Sequence, residues 1–97
     1  MELEKRILSV PLYSTDGKKE KKVLVTFAVP GTYWRWYVCE GSRQDDDIIL
    51  FGYVRSGLAA EFSEWGYASL KELCSVGVVG FIDDKLWIKM DGSLFKK

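Results

Sequence analysis

The 97-residue chain has no histidine. That removes the commonest general base and the usual nucleophile–imidazole triads. Cysteine is scarce as well: Cys39 and Cys74 stand alone with no C-x-x-C spacing, which argues against a zinc knuckle or a thioredoxin-like centre. The expectation is two buried thiols in a reducing compartment. Net charge is missing too, because 14 Lys and Arg balance 14 Asp and Glu. The chain therefore has neither the overall basic excess of a general nucleic-acid binder nor the acidic excess of a DNA mimic. Local patches stay open, and a low net charge permits self-association, so oligomeric state is not fixed. No apolar run approaches the length that spans a bilayer, and Met1–Arg6 lacks the apolar stretch of a signal peptide. A cytoplasmic protein with no membrane partner is expected. Walker and dinucleotide-binding fingerprints are absent, and Gly77-Val78-Val79-Gly80 is too poor in glycine to cradle a phosphate. No cofactor, catalytic residue or enzymatic activity is expected.

Apolar residues make up 47% of the chain and aromatics 14%, too much for a disordered segment. The length suits a single domain over residues 1–97, which at this size buries roughly two thirds of its unfolded surface. Tyr33-Trp34-Arg35-Trp36-Tyr37-Val38-Cys39 places four aromatics in five residues. Such residues favour a strand, whose side chains alternate between two faces. Trp34, Trp36 and Val38 fall on one face, expected to be core. Tyr33, Arg35 and Tyr37 fall on the other, and are of the types enriched at binding hot spots. A second layer covering that face is the competing reading.

Residues 1–10 read as a helical turn or an edge strand, followed by a turn at Ser14–Gly17. Val23–Val29 reads as a strand with Val23, Val25, Phe27 and Val29 on one face, forming a hairpin with the aromatic strand. Gly41–Asp47 reads as a polar loop. Ile48–Val54, apolar on both faces, reads as a central strand, with Gly52 marking a bulge or a close backbone approach. Residues 55–63 read as a looser connection. Glu64–Ala68 is a short extended segment leading into a helix over about Leu70–Val76. Ser69 and Glu72 have capping-box spacing, Leu70, Leu73 and Cys74 form the buried stripe, and Gly77 is the stop. Residues 81–90 read as strand, turn at Asp83-Asp84, and strand, with Asp91-Gly92 ending it before a frayed tail. The predicted fold is α+β: a small antiparallel β-sheet of about five strands with one short α-helix packed on it.

Asp45-Asp46-Asp47 is a candidate for a divalent cation, but its spacing is not that of an EF-hand and a solvated loop is the simpler expectation, so no metal is assigned. Asp47 pairing with Arg35 or Arg55 is a further option. Lys18–Lys22 suits either phosphate contact or lysine protection of an edge strand. Trp87 between Lys85 and Lys89 is either a core residue or a stacking platform of the kind found in single-strand binders.

Trp34-x-Trp36-Tyr37-Val38-x-Glu40, Asp46-Asp47, Phe51-Gly52-Tyr53-Val54 and Glu64-Trp65-Gly66-Tyr67-x-Ser69-Leu70-x-Glu72-Leu73 occur in that order. Together with Pro11–Thr15 they resemble a domain-of-unknown-function family of small proteins from phages, plasmids and integrative elements, over about residues 11–90. Ala68 departs from the family's usual aromatic, and the tail after Gly80 lacks its typical ending. The resemblance implies no reaction or cofactor. It implies a habitat in which small proteins often bind and block a host defence protein, such as a restriction or CRISPR effector. The leading expectation is thus a non-enzymatic binding protein with a host protein as partner, using Tyr33, Arg35, Tyr37, Trp65, Tyr67 and Trp87. A nucleic-acid module using exposed aromatics and lysines is the alternative, and a carboxylate- or metal-dependent enzyme the third.

Overall fold

A computed structural model describes residues 2–56 and 63–97. The fold is α+β, with eight strands in two antiparallel sheets and two short helices among the described residues. Helix α1 is Glu2–Leu8 and α2 is Leu70–Ser75. The strands are β1 (Glu20–Lys22), β2 (Val25–Ala28), β3 (Arg35–Gln44), β4 (Asp47–Arg55), β5 (Glu64–Ser69), β6 (Val79–Phe81), β7 (Leu86–Lys89) and β8 (Leu94–Lys96). The larger sheet has the order β5-β4-β3-β2-β6 and the smaller β1-β7-β8. Most of the connection expected at residues 55–63 lies outside the described residues.

The large sheet is covered on both faces. Ile7 of α1 and Leu70 and Leu73 of α2 pack with Phe27, Trp36, Val38 and Leu50 on one face. On the other face Tyr37 and Cys39 pack with Val23 and Ile88, with Tyr53, Trp65 and Leu86 beside them. Helix α1 forms because Leu3 and Ile7 share one side while Glu2 and Glu4 start it and Lys5 and Arg6 end it, matching the helix dipole. The hairpin of β2 and β3 forms as expected, with Val25 opposite Val38 and Phe27 opposite Trp36. Val23 does not share the face of Val25: the chain steps between sheets there, and Val23 packs in the second cluster while Leu24 joins the first.

The loop expected at 41–47 is mostly strand. β3 runs to Gln44, which pairs with Asp47, leaving Asp45-Asp46 as a two-residue turn with Asp45 at φ 55°. β7 and the segment before it do not pair with each other; β6 joins β2 and β7 joins β1 and β8. The tail is ordered as β8, returned from β7 by a turn at Asp91-Gly92 with Gly92 at φ 88°. That turn docks on the large sheet through Trp65 Nε1 donating to the Met90 carbonyl (2.8 Å) and Arg55 donating to the Gly92 carbonyl (2.9 Å).

One irregularity in β3 matters more than its size suggests. The register shifts between Val38 and Glu40, so Cys39 is an extra residue opposite the Gly52–Phe51 step of β4. Simple alternation would put Glu40 on the face of Trp34, Trp36 and Val38. The bulge turns it to the opposite face, in line with Phe51, and lets Gly41 pass tightly under Ile7. The close approach expected at Gly52 is present: a Cβ there would lie 2.1 Å from the Tyr37 carbonyl oxygen.

Ser69 caps α2, accepting from the Glu72 amide at 3.3 Å, and Gly77 at φ 77° ends it. Cys74 is exposed rather than part of the buried stripe: α2 packs on the sheet through Leu70 and Leu73, and Cys74 lies at the rim of a surface cavity beside Ile48 and Leu70. Asp47 pairs with neither arginine. It accepts from Ser69 Oγ and from the Lys71 amide (3.2 Å), and so anchors the start of α2.

Ser69 Oγ is the main cause holding the Asp47 carboxyl below its ordinary 3.8, and Lys71 does the same for Asp46. Lowered carboxyl values stabilise the fold above pH 3.8 and lose that contribution as pH falls through the folded values. The melting temperature is expected to fall below about pH 4, and Asp47→Asn should make that fall slightly shallower in a circular-dichroism series. Gly52→Ala is expected to cost about 3 kcal/mol in urea unfolding, since backbone and not a movable side chain meets the new methyl. Gly66→Ala, with nothing within 4 Å of its Cβ position, should stay within about 0.5 kcal/mol of the parent.

Candidate functional site

Glu40 is 1% exposed, an ionisable side chain directly after the apolar run Trp36–Cys39 of β3. It accepts hydrogen bonds from the backbone amides of Tyr13 (2.8 Å) and Thr15 (2.9 Å) and from the Thr15 hydroxyl. The same hydroxyl accepts from Lys21 Nζ at 2.8 Å, and the Thr15 carbonyl accepts from it at 2.5 Å. Lys21, 4% exposed, is thus joined to Glu40 through Thr15. A buried carboxylate that receives three donors is satisfied, and it fixes the loop that supplies them.

That loop presents Tyr13 in a left-handed conformation, φ 72°, which costs a residue with a Cβ on the order of 1–3 kcal/mol. The ring of Tyr13 stands 6.3 Å from that of Tyr67. Tyr67 is 5.0 Å from Phe51, Phe51 stacks at 5.5 Å on Trp65, and Trp65 meets Tyr53 edge-on at 5.4 Å. Five rings therefore form one row across β4 and β5. The register creates it, because Phe51 faces Tyr67 and Tyr53 faces Trp65 across the strand pair. The small sheet covers the Tyr37 side of this face and leaves the far side open: Tyr13 is 63% and Tyr67 53% exposed. Partial desolvation, and next the Tyr13 phenol, push the Tyr67 hydroxyl above its ordinary value, so it remains a neutral donor.

The residues expected to form one binding surface are spread over three exposed places, with Tyr37 buried apart from them. Trp65 and Tyr67 belong to the ring row. Tyr33 is 80% exposed, and Arg35 beside it is half-buried with Nη1 donating to the Thr32 and Trp34 carbonyls. Tyr37 is only 7% exposed, which corrects the expectation of a shared Tyr33-Arg35-Tyr37 face: the small sheet lies over it, and the Arg55 guanidinium sits 5.8 Å from its ring. Trp87 is half-buried on the small sheet, 6.5 Å from Phe95. Tyr13 and Phe51 escaped the sequence reading. The available signal was Glu40 itself, since an acid that continues the apolar run Trp36–Cys39 into the interior needs local donors.

Burial pushes the Cys39 thiol up to about 12, a poor nucleophile at neutral pH. Asp46 pairs with Lys71 at 2.6 Å, so two carboxylates of the aspartate run are engaged with α2. Among the described residues no three acidic or thiol side chains cluster as a metal site would require, and no helix is long and apolar enough to cross a membrane. No protein-family model, curated protein or solved structure matches the chain.

Glu40→Ala is expected to cost about 3 kcal/mol or more, because it strands the buried Lys21 charge and two amides. Urea unfolding measures it, and cleavage within residues 11–17 under limited proteolysis should accelerate in the same variant.

Proposed function

We propose that the chain is a small non-enzymatic cytoplasmic binding protein that engages another protein through the Tyr13–Tyr67–Phe51–Trp65 row. The observation that carries this reading is the continuous row of rings with Tyr13 and Tyr67, consecutive at one end, open to solvent. Aromatic side chains contribute large contact area at small entropic cost, and tyrosine adds a hydroxyl that can bond across the interface. The row is also pre-organised. Strand pairing sets Phe51, Trp65 and Tyr67, and Glu40 sets Tyr13, so little order has to be gained on binding.

The unreactive Cys39 and the aspartates committed to α2 support a stoichiometric rather than a catalytic role. The finer reading, that the partner is a bacterial defence protein and the chain its inhibitor, draws its support from the sequence resemblance to proteins of mobile elements.

The test is affinity capture from host lysate by the wild type and by a Tyr13→Ala/Tyr67→Ala variant with an unchanged circular-dichroism spectrum. A partner held at one-to-one stoichiometry by the wild type should bind the double variant at least roughly 30-fold more weakly, the equivalent of about 2 kcal/mol for a lost hot spot. A partner bound equally by both proteins overturns this choice of surface, and turnover of a small molecule by the purified chain overturns the non-enzymatic reading.

A further inference from the structure

Overall neutrality conceals a strong polarity. Residues 18–22 and 85–97, which build the small sheet, hold eight of the fourteen basic residues against Glu20 and Asp91, a surplus of six positive charges, one of which, Lys96, pairs with Asp83 of the preceding turn at 3.0 Å. The rest of the chain is correspondingly acidic. Lys21 and Ile88 are buried and pair with each other across β1 and β7, so their neighbours Glu20, Lys22, Trp87 and Lys89 point to the other, outer face. Phe95 pairs with Trp87 and joins them there.

The outer face therefore has two rings side by side, 6.5 Å apart, framed by lysines. Lys97 Nζ stands 4.0 Å from the centre of the Trp87 ring, and Lys89 Nζ 5.6 Å from that of Phe95. Next to Trp87 opens a cavity of about 350 Å³, lined among others by Ser14, Thr15, Lys18, Lys21 and Lys22. Glu20 also lines it and pairs with Lys97 at 3.4 Å.

We propose that this face binds single-stranded nucleic acid, with bases stacking on Trp87 and Phe95 and backbone phosphate at the lysine-lined cavity. Positive charge alone would suit any polyanion. The paired rings select one whose charges alternate with flat π-faces, and only unpaired bases offer those faces. Lys97 occupies the place over Trp87 that a base would take. Its hold is an exposed cation–π contact and a surface ion pair, each weaker than base stacking, and an arriving phosphate competes for the same ammonium. The site is separate from the ring row, so this proposal and the preceding one can fail independently.

Fluorescence anisotropy with labelled oligo(dT) and oligo(rU), over a salt series, tests the assignment. Binding should weaken linearly in log–log form with salt, and Lys18→Glu/Lys22→Glu should flatten the slope by about 0.7 for each phosphate the variant no longer neutralises. Trp87→Ala should weaken binding roughly tenfold or more, and Trp87→Phe should restore most of it. Tyr13→Ala/Tyr67→Ala should leave it unchanged. No salt-sensitive binding to either oligonucleotide overturns the proposal. So does equal affinity of folded Trp87→Ala, or equal competition by duplex DNA or polyglutamate, which would mark a patch that reads charge alone.

Discussion

A buried carboxylate organises this protein. Glu40 can sit in the interior only because three donors from the segment between α1 and β1 converge on it, and those donors are ordered only because Glu40 is there. The link continues through Thr15 to Lys21, so the first strand of the small sheet is tied to the third strand of the large one by polar contacts. Such an arrangement adds less net stability than apolar residues of the same volume could. What it fixes is position. A slipped register of β3 would leave a charge among Ile7, Leu50 and Val38, and every slipped alternative is penalised accordingly.

The bulge at Cys39 makes this possible. One additional residue in β3 moves Glu40 from the helix-covered face to the face shared with Phe51, and Gly52 on the neighbouring strand accepts the resulting closeness of two backbones. The same face then divides in two. The narrow β1-β7-β8 sheet seals Tyr37 and Cys39, while the rings of Phe51, Trp65, Tyr67 and Tyr13 continue past its boundary. Core and candidate binding surface are thus consecutive parts of one aromatic sheet face, distinguished only by how far the second sheet extends.

Much of the large sheet was legible because its signals are local. The β2–β3 hairpin, the β4 strand with its glycine, the Ser69 cap and the Gly77 stop all follow from short-range patterning. Of the small sheet only β7 was legible, as the strand after Asp83-Asp84; the three-residue β1 and β8 have no usable periodicity, and β1 is matched to β7 across more than sixty residues. Missing the rest had consequences for function. Without the second layer, Tyr37 counts as exposed and Trp87 has no defined face. Alternation also misplaces Glu40, since a bulge is set by the partner strand as well as by its own sequence. The helix stripe at Cys74 failed for a different reason: its position has the right helical spacing, but it faces a surface cavity where no neighbouring element covers it.

The pairing of β1 with β7 also bears on how the molecule is made. Lys21 is made more than sixty residues before its strand partner Ile88. Until then the ammonium and the face of Tyr37 and Cys39 have no cover, and the nascent domain presents an adhesive side to its surroundings. The second layer therefore cannot close until β7 has been made, and a chaperone that shields aromatic strand surfaces during that interval would raise the yield of the finished fold.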